Sequence, residues 1–143
     1  MGLDIGDSRI GVALSDPLGI LASPLEIINR AGEPPAIGRI VDIIREKSVE
    51  KIIAGLPLNM DGTRGDQAAK TEAFVNNLKR FTDVPVEYRD ERLSTVSACQ
   101  LIRKARKTTR ATRYDAAAAA LILQSYLDES KTPLEIREDS PEQ

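Results

Sequence analysis

Apolar residues recur at every second position near the start of the chain. Ile10, Val12 and Leu14 keep the period of a strand with one buried face. Asp16-Pro17-Leu18-Gly19 carries turn chemistry, and a second extended run, Ile20 to Ile28, follows it; Pro24 inside that run fits an edge strand or a bulge. The first 28 residues therefore predict β structure. Gly32-Glu33-Pro34-Pro35 reads as a break, after which Ile37, Ile40, Val41 and Ile44 take the i, i+3, i+4, i+7 spacing of an amphipathic helix. Lys51 to Leu56 is a continuous apolar run of the kind buried in parallel sheets. A loop rich in Gly, Pro, Asn and Asp (Pro57 to Gly62) precedes a second helix, with Thr71, Phe74, Leu78 and Phe81 on its inner face. Val84 to Tyr88 predicts another strand, Ser94 can cap a helix, and the last helix runs from about Arg113 to Asp128.

This order, three strands then alternating helices and strands, predicts a three-layer α/β domain with a mixed sheet. A hairpin-built antiparallel half is followed by crossover units that require parallel strands. One domain is expected over residues 1–130, and an acidic, flexible tail over 131–143. A chain of 143 residues buries enough surface to need no staples.

Composition narrows the chemistry. The single cysteine, Cys99, allows no intramolecular disulfide and no thiolate cluster, and the absence of histidine removes Ser-His and Cys-His nucleophiles and His-ligated metals. A metal here must be held by oxygen, which favours magnesium or manganese. The longest apolar run, Ala116 to Leu123, is eight residues, far short of the roughly 20 that span a bilayer. With no signal-peptide pattern visible, a cytoplasmic location and no membrane partner are expected.

The net charge of −2 speaks against a nucleic-acid partner until its distribution is read. Residues 128–143 hold six acids against Lys131 and Arg137, so the remaining 16 acids and 18 bases leave a body of charge +2. Within that body, Arg103, Lys104, Arg106, Lys107, Arg110 and Arg113 place six positive charges in eleven residues with no acid between them. Such a run is an electrostatic footprint for phosphate, although a solvated helix end has the same pattern.

Three acids occupy privileged places. Asp4 lies in the first strand beside small residues, where a charge is costly unless compensated; Glu91 follows the fifth strand; Asp115 precedes five alanines, which would let a helix press close to a sheet. If they converge, each pair of carboxylates 4 Å apart repels by about 4 kcal/mol at an effective dielectric of 20, and divalent cations are the simplest remedy. Two cations about 3.5–4 Å apart would make a phosphodiester hydrolase. Plain structural readings stand beside this one: Asp115 favouring a helix N-terminus, Glu91 paired with Arg92, and glycines 2, 6 and 11 simply shaping hairpins. The Gly55–Thr63 loop ends at a helix start, where backbone N–H groups can receive an anion, while Thr63 and Asp66 also resemble a capping box. Five aromatic residues, none clustered, argue against recognition by aromatic base stacking.

Four motifs in order carry a resemblance: Asp4-Ile5-Gly6 through Arg9-Ile10-Gly11-Val12-Ala13-Leu14-Ser15-Asp16, Gly55-Leu56-Pro57 with Met60-Asp61-Gly62-Thr63, Asp90-Glu91-Arg92-Leu93-Ser94, and Asp115 with Ala118-Ala119 and Ile122-Leu123-Gln124. Over about residues 1–130 the chain resembles the YqgF (RuvX) family of bacterial RNase H-like proteins, described as Holliday junction resolvases and as nucleases that mature the 5′ end of 16S rRNA. The resemblance implies a five-stranded sheet of order 3-2-1-4-5 with helices on both faces. It implies a Mg2+- or Mn2+-dependent phosphodiesterase with its carboxylates at Asp4, Glu91 and Asp115. Arg9, Asn59, Thr63, Arg92 and the 103–113 cations would line a nucleic-acid groove. Ser8-Arg9 stands where a Lys-Arg pair is common, which removes one phosphate contact.

Three functions follow as expectations. The first is a nuclease acting on structured nucleic acid, with RNA preferred on family grounds and branched DNA as the alternative, in a monomer or a homodimer. The second is a non-catalytic nucleic-acid-binding factor. The third, an actin-like ATPase, needs two such domains around a cleft, and this chain supplies one.

Overall fold

Strands β1 (Gly2–Ile5), β2 (Arg9–Ser15) and β3 (Ala22–Asn29) make an antiparallel meander, as the alternation near the N-terminus predicts. A computed structural model describes residues 1–30, 32–91 and 111–138, with side chains over 1–30, 32–91 and 116–129. β3 is an edge strand, and its register slips opposite Val12 and Ala13, where Pro24 faces Ala13. A proline has no N–H to give to a ladder, so edge and bulge are where it is tolerated. Helix α1 (Glu33–Glu46) leads to β4 (Ile52–Leu56), helix α2 (Asp66–Leu78) to β5 (Val86–Asp90), and helix α3 spans Ala111–Glu138. β4 pairs parallel with β1 and β5 parallel with β4, giving the order β3-β2-β1-β4-β5.

Strand pleating sends alternate side chains to two different cores. Leu3, Ile5, Ile10, Val12, Ile52 and Ala54 face α1 and α2, packed with Ile37, Ile40, Phe74 and Leu78. On the other face Ala13 and Ile53 meet Ala119, Ile122 and Leu123 of α3. The alanines do what their size suggests. A Cβ on Gly2 would stand 2.8 Å from the Ala119 carbonyl oxygen, so helix and strand approach as closely as backbones can.

Several element boundaries differ from those expected. The two prolines do not break the chain; they lie in the first turn of α1, where a missing N–H costs nothing. The α2 cap is Gly65 with no side-chain cap bond, so Thr63 and Asp66 form no capping box. Phe81 lies beyond the end of α2 and is 61% exposed, so it does not belong to the inner face. β5 begins and ends two residues later than expected. Among the described residues helix α3 spans Ala111–Glu138, which puts Asp115 past its first turn and takes the helix through part of the segment expected as a tail. Glu, Lys, Leu and Arg in that stretch are good helix formers, which offsets the one proline. The cap expected at Ser94 lies outside the described residues.

Candidate active site

The parallel strands β1, β4 and β5 end together, and two of the three expected acids stand at that end. Asp4 is the third residue of β1 and is only 7% exposed; Glu91 is the first residue past β5 and is 8% exposed. Leu3 pairs with Ala54 and Arg89 with Gly55, so Asp4 and Glu91 flank Gly55 from either side. They are separated by two strand spacings and two residues along the strand, about 12 Å at the backbone. A Cβ on Gly55 would stand 3.1 Å from Glu91 Cγ and 2.6 Å from Ile122 Cδ1. Glycine here lets Glu91 lean back across β4 and lets α3 cross the strand.

Helix α3 runs antiparallel to β4. Tyr126 sits by Lys51 at the start of the strand, where the Lys51 ammonium donates to the Tyr126 hydroxyl at 2.7 Å, and Ile122 sits by Gly55 near its end. The N-terminal part of α3 is therefore carried toward the end of the sheet that holds Asp4 and Glu91. Position 115 precedes Ala119 by one turn and Ile122 by two, on the stripe that meets the sheet.

An ion pair fixes this arrangement. Arg89 donates from Nε to Ser125 Oγ at 2.9 Å, and from its two terminal nitrogens to the Glu129 carboxylate at 3.3 and 2.9 Å. It is 9% exposed and fastens α3 to β5 two residues before Glu91. The Arg89 hydrogen bond, above all, holds the Glu129 carboxyl below its usual range. Gln124 secures the far side: its amide donates to the Ile20 carbonyl at 2.9 Å and accepts from the Ala22 N–H at 2.8 Å.

The β1–β2 hairpin tip borders the same end. Gly6 N–H donates to the Arg9 carbonyl at 2.9 Å, closing the tip, and Arg9, half-exposed, opens β2. Arg30 clamps the tip from behind. It donates to the Gly6 carbonyl at 2.7 Å, lies 4.9 Å over the Phe74 ring, and takes the Ser8 carbonyl through its backbone N–H at 2.8 Å. Asp7 meets Lys70 of α2 at 3.7 Å.

The β4–α2 loop is knit by its own side chains. Asn59 Nδ2 donates to Thr63 Oγ1 at 2.9 Å, and the Thr63 hydroxyl and N–H donate to Asp61 Oδ1 at 2.7 and 3.0 Å. Asn59 and Thr63 are exposed on this loop, and these bonds give it its shape. Of the other expected contacts, Arg92, Arg103, Lys104, Arg106, Lys107 and Arg110 lie outside the described residues. Arg113 and Asp115 lie in α3 where the backbone alone is described.

Arg30 and Arg89 are the residues that sequence reasoning missed, and Gly55, read there as the start of an anion-binding loop, serves as the seat for Glu91 and α3. For Arg89 a signal existed: Glu87 and Arg89 of β5, with Glu91 just past it, put charges at alternate positions, on the face away from Val86 and Tyr88. A strand face with that pattern must find partners in whatever covers it.

The donor chemistry suits a hard divalent cation. Two buried carboxylates, Asp4 and Glu91, stand at the same end of the sheet, Glu91 beside Gly55; the chain has no histidine, and oxygen-only sites are those of magnesium and manganese. Among the described residues no three acids come together, so two carboxylates are what the described part of the site provides. Among the described residues no helix is long and apolar enough to cross a membrane.

Comparison with known proteins agrees with this fold. The chain is 48% identical over 130 residues to a Desulforamulus reducens protein named "Putative pre-16S rRNA nuclease", covering 90% of this chain and 95% of that one. A Roseiflexus protein of the same name is 43% identical, with 92% and 94% covered. Among solved structures, Thermus thermophilus RuvC in complex with a Holliday junction substrate superposes with a TM-score of 0.56 at 13% identity, over 92% of this chain and 94% of that one, which is a likeness of fold. The model of the family described as RuvX, Holliday junction resolvase, matches residues 1–129, and the chain belongs to that family.

Proposed function

We propose that this protein hydrolyses phosphodiester bonds in structured nucleic acid, that its substrate is the precursor of 16S rRNA, and that it works in the cytoplasm. The observation that carries this reading is the pair of buried acids, Asp4 and Glu91, at the same end of three parallel strands, with Glu91 leaning over Gly55 between them. Buried carboxylates are retained where they are hydrogen-bonded, paired or coordinate a metal, and two of them on one sheet face suit a shared cation. Asp4 would anchor Mg2+ or Mn2+, with Glu91 and Asp115 completing the ligand set for two ions. Bound there, divalent cations supply activation of water and charge neutralisation at the scissile phosphate.

The remaining residues bind and orient. Rigid placement of Asp4 follows from its strand, and that of Glu91 from its packing on Gly55 and from the Arg89 tether. The hairpin tip and the β4–α2 loop form the walls past which a backbone would run. The cations of 103–113 would hold phosphates on either side, a contribution that weakens with salt.

A four-way DNA junction is the second reading, favoured by the family description and by the fold shared with RuvC. Offering the protein a 16S precursor leader RNA beside a four-way DNA junction, each with Mg2+, separates the two. Cutting confined to the leader supports the first reading, and cutting confined to the junction replaces it with the second. Binding of either without cutting would leave a non-catalytic factor.

A further inference from the structure

Six large apolar side chains are exposed among the described residues: Leu18, Ile20, Leu21, Leu25, Met60 and Phe81. Topology sorts them. Leu18, Ile20 and Leu21 lie at the β2–β3 turn, at the end of the sheet remote from Asp4; Leu25 is midway along the edge strand; Phe81 follows the far end of α2. Met60 alone of these stands at the end that holds Asp4 and Glu91, and at 86% it is the most exposed.

Its loop is built to hold it there. Asn59 N–H donates to the Thr63 carbonyl and Gly62 N–H to the Asn59 carbonyl, both at 2.9 Å, and the Asn59–Thr63–Asp61 side-chain bonds lie on top of that turn. The polar side chains of Asn59, Asp61 and Thr63 brace the turn that carries the exposed Met60. Met60 follows Leu56 by four residues, so it lies within about 14 Å of the strand end. Leu56 pairs with Asp90, the residue before Glu91. At about 3.4 Å per nucleotide along a strand, that reach from the strand end is at most about four nucleotides.

We propose that Met60 packs against an unstacked base of the bound nucleic acid, a few nucleotides from the bond that is cut. This deepens the nuclease reading and rests on it. Apolar wedges, methionine included, open base steps in nucleic acids, and a polarizable thioether suits the face of any base. Such a contact adds selectivity for places where a base is already free, at a branch, a loop or a strand end, without reading its identity.

The test places 2-aminopurine, whose fluorescence rises when it unstacks, at successive positions around the branch of a four-way DNA junction and around the stem end of a 16S precursor leader RNA. Binding is followed with wild-type protein in EDTA and with Asp4→Asn protein in Mg2+, so that the substrate stays whole. A rise of several-fold at one or two positions is expected, lost in Met60→Ala and retained in Met60→Leu, with binding weakened roughly five- to tenfold in the alanine variant. A response that is absent throughout, or equal in wild type and Met60→Ala, overturns the proposal. Cleavage measured alongside distinguishes the failures. A Met60-dependent response from a wild-type protein that cuts nothing would sink the nuclease reading alone. Normal cutting with no Met60 dependence would sink the wedge alone.

Discussion

Glu91 lies across Gly55, its Cγ 3.1 Å from where a side chain on that glycine would begin. The same position faces Ile122 of α3, so one residue without a side chain sets both the reach of an acid and the seat of a helix. Gly55→Ala should therefore cost about 1–3 kcal/mol of stability through overpacking. Cleavage should fall further than the lost folded fraction explains, because Glu91 and α3 must move apart. Thermal unfolding and single-turnover cleavage on the same preparation check this; an alanine variant with wild-type melting and wild-type rate would contradict it.

Much of the fold is legible from the residues because its signals are local. The apolar run of β4 and the Ile37–Ile44 stripe of α1 state their burial directly, and Pro24 marks an edge before any pairing is known. Asp4 and Glu91 are legible as costly charges beside strands. The Arg89 tether is not, because its partners Ser125 and Glu129 lie 36 and 40 residues away and nothing local joins them. The start of α1 misreads for another reason: a proline pair stops a helix from its interior yet suits its first turn.

Arg30 holds the hairpin that follows Asp4, through a charge-assisted bond to the Gly6 carbonyl and its place over Phe74. Arg30→Ala should lose about 1.5–3 kcal/mol, with faster amide exchange at residues 6–9 than elsewhere. Arg30→Lys should recover part of the loss. Uniform exchange across the sheet in the alanine variant would show that the clamp is not local.

Thr71 in α2 is fully buried, and its hydroxyl is the one buried side-chain oxygen without a hydrogen-bond partner among the described residues. Thr71→Val keeps the shape and removes the unsatisfied group, so it should raise stability by about 1 kcal/mol. A denaturant midpoint that falls instead would mean the hydroxyl has a partner in solution.

Acid should weaken the fold through two ion pairs. Arg39 donates to both oxygens of Glu26 at 2.8 and 2.7 Å, and Arg89 to both of Glu129. Each carboxyl is held below its ordinary value of 4.5, chiefly by its arginine hydrogen bond. A depressed folded-state value gives stability that is fully present above the unfolded-state value and lost as pH falls through the folded one. The Glu26→Gln variant should thus melt below wild type at pH 6 and converge on it as pH falls below the ordinary value of 4.5 and through the depressed folded-state one. A gap that stays constant with pH would deny the linkage.

The central claim is that Asp4 holds divalent cations for phosphodiester cleavage. The most direct measurement compares wild type with Asp4→Asn in cleavage of the 16S precursor leader and the four-way junction, in Mg2+, in Mn2+ and in EDTA, with circular dichroism to establish folding. The expected result is cutting by wild type in either metal, none in EDTA, and a loss of at least a hundredfold in a folded Asp4→Asn protein. Cleavage that survives EDTA, or that Asp4→Asn performs at the wild-type rate, would contradict the claim.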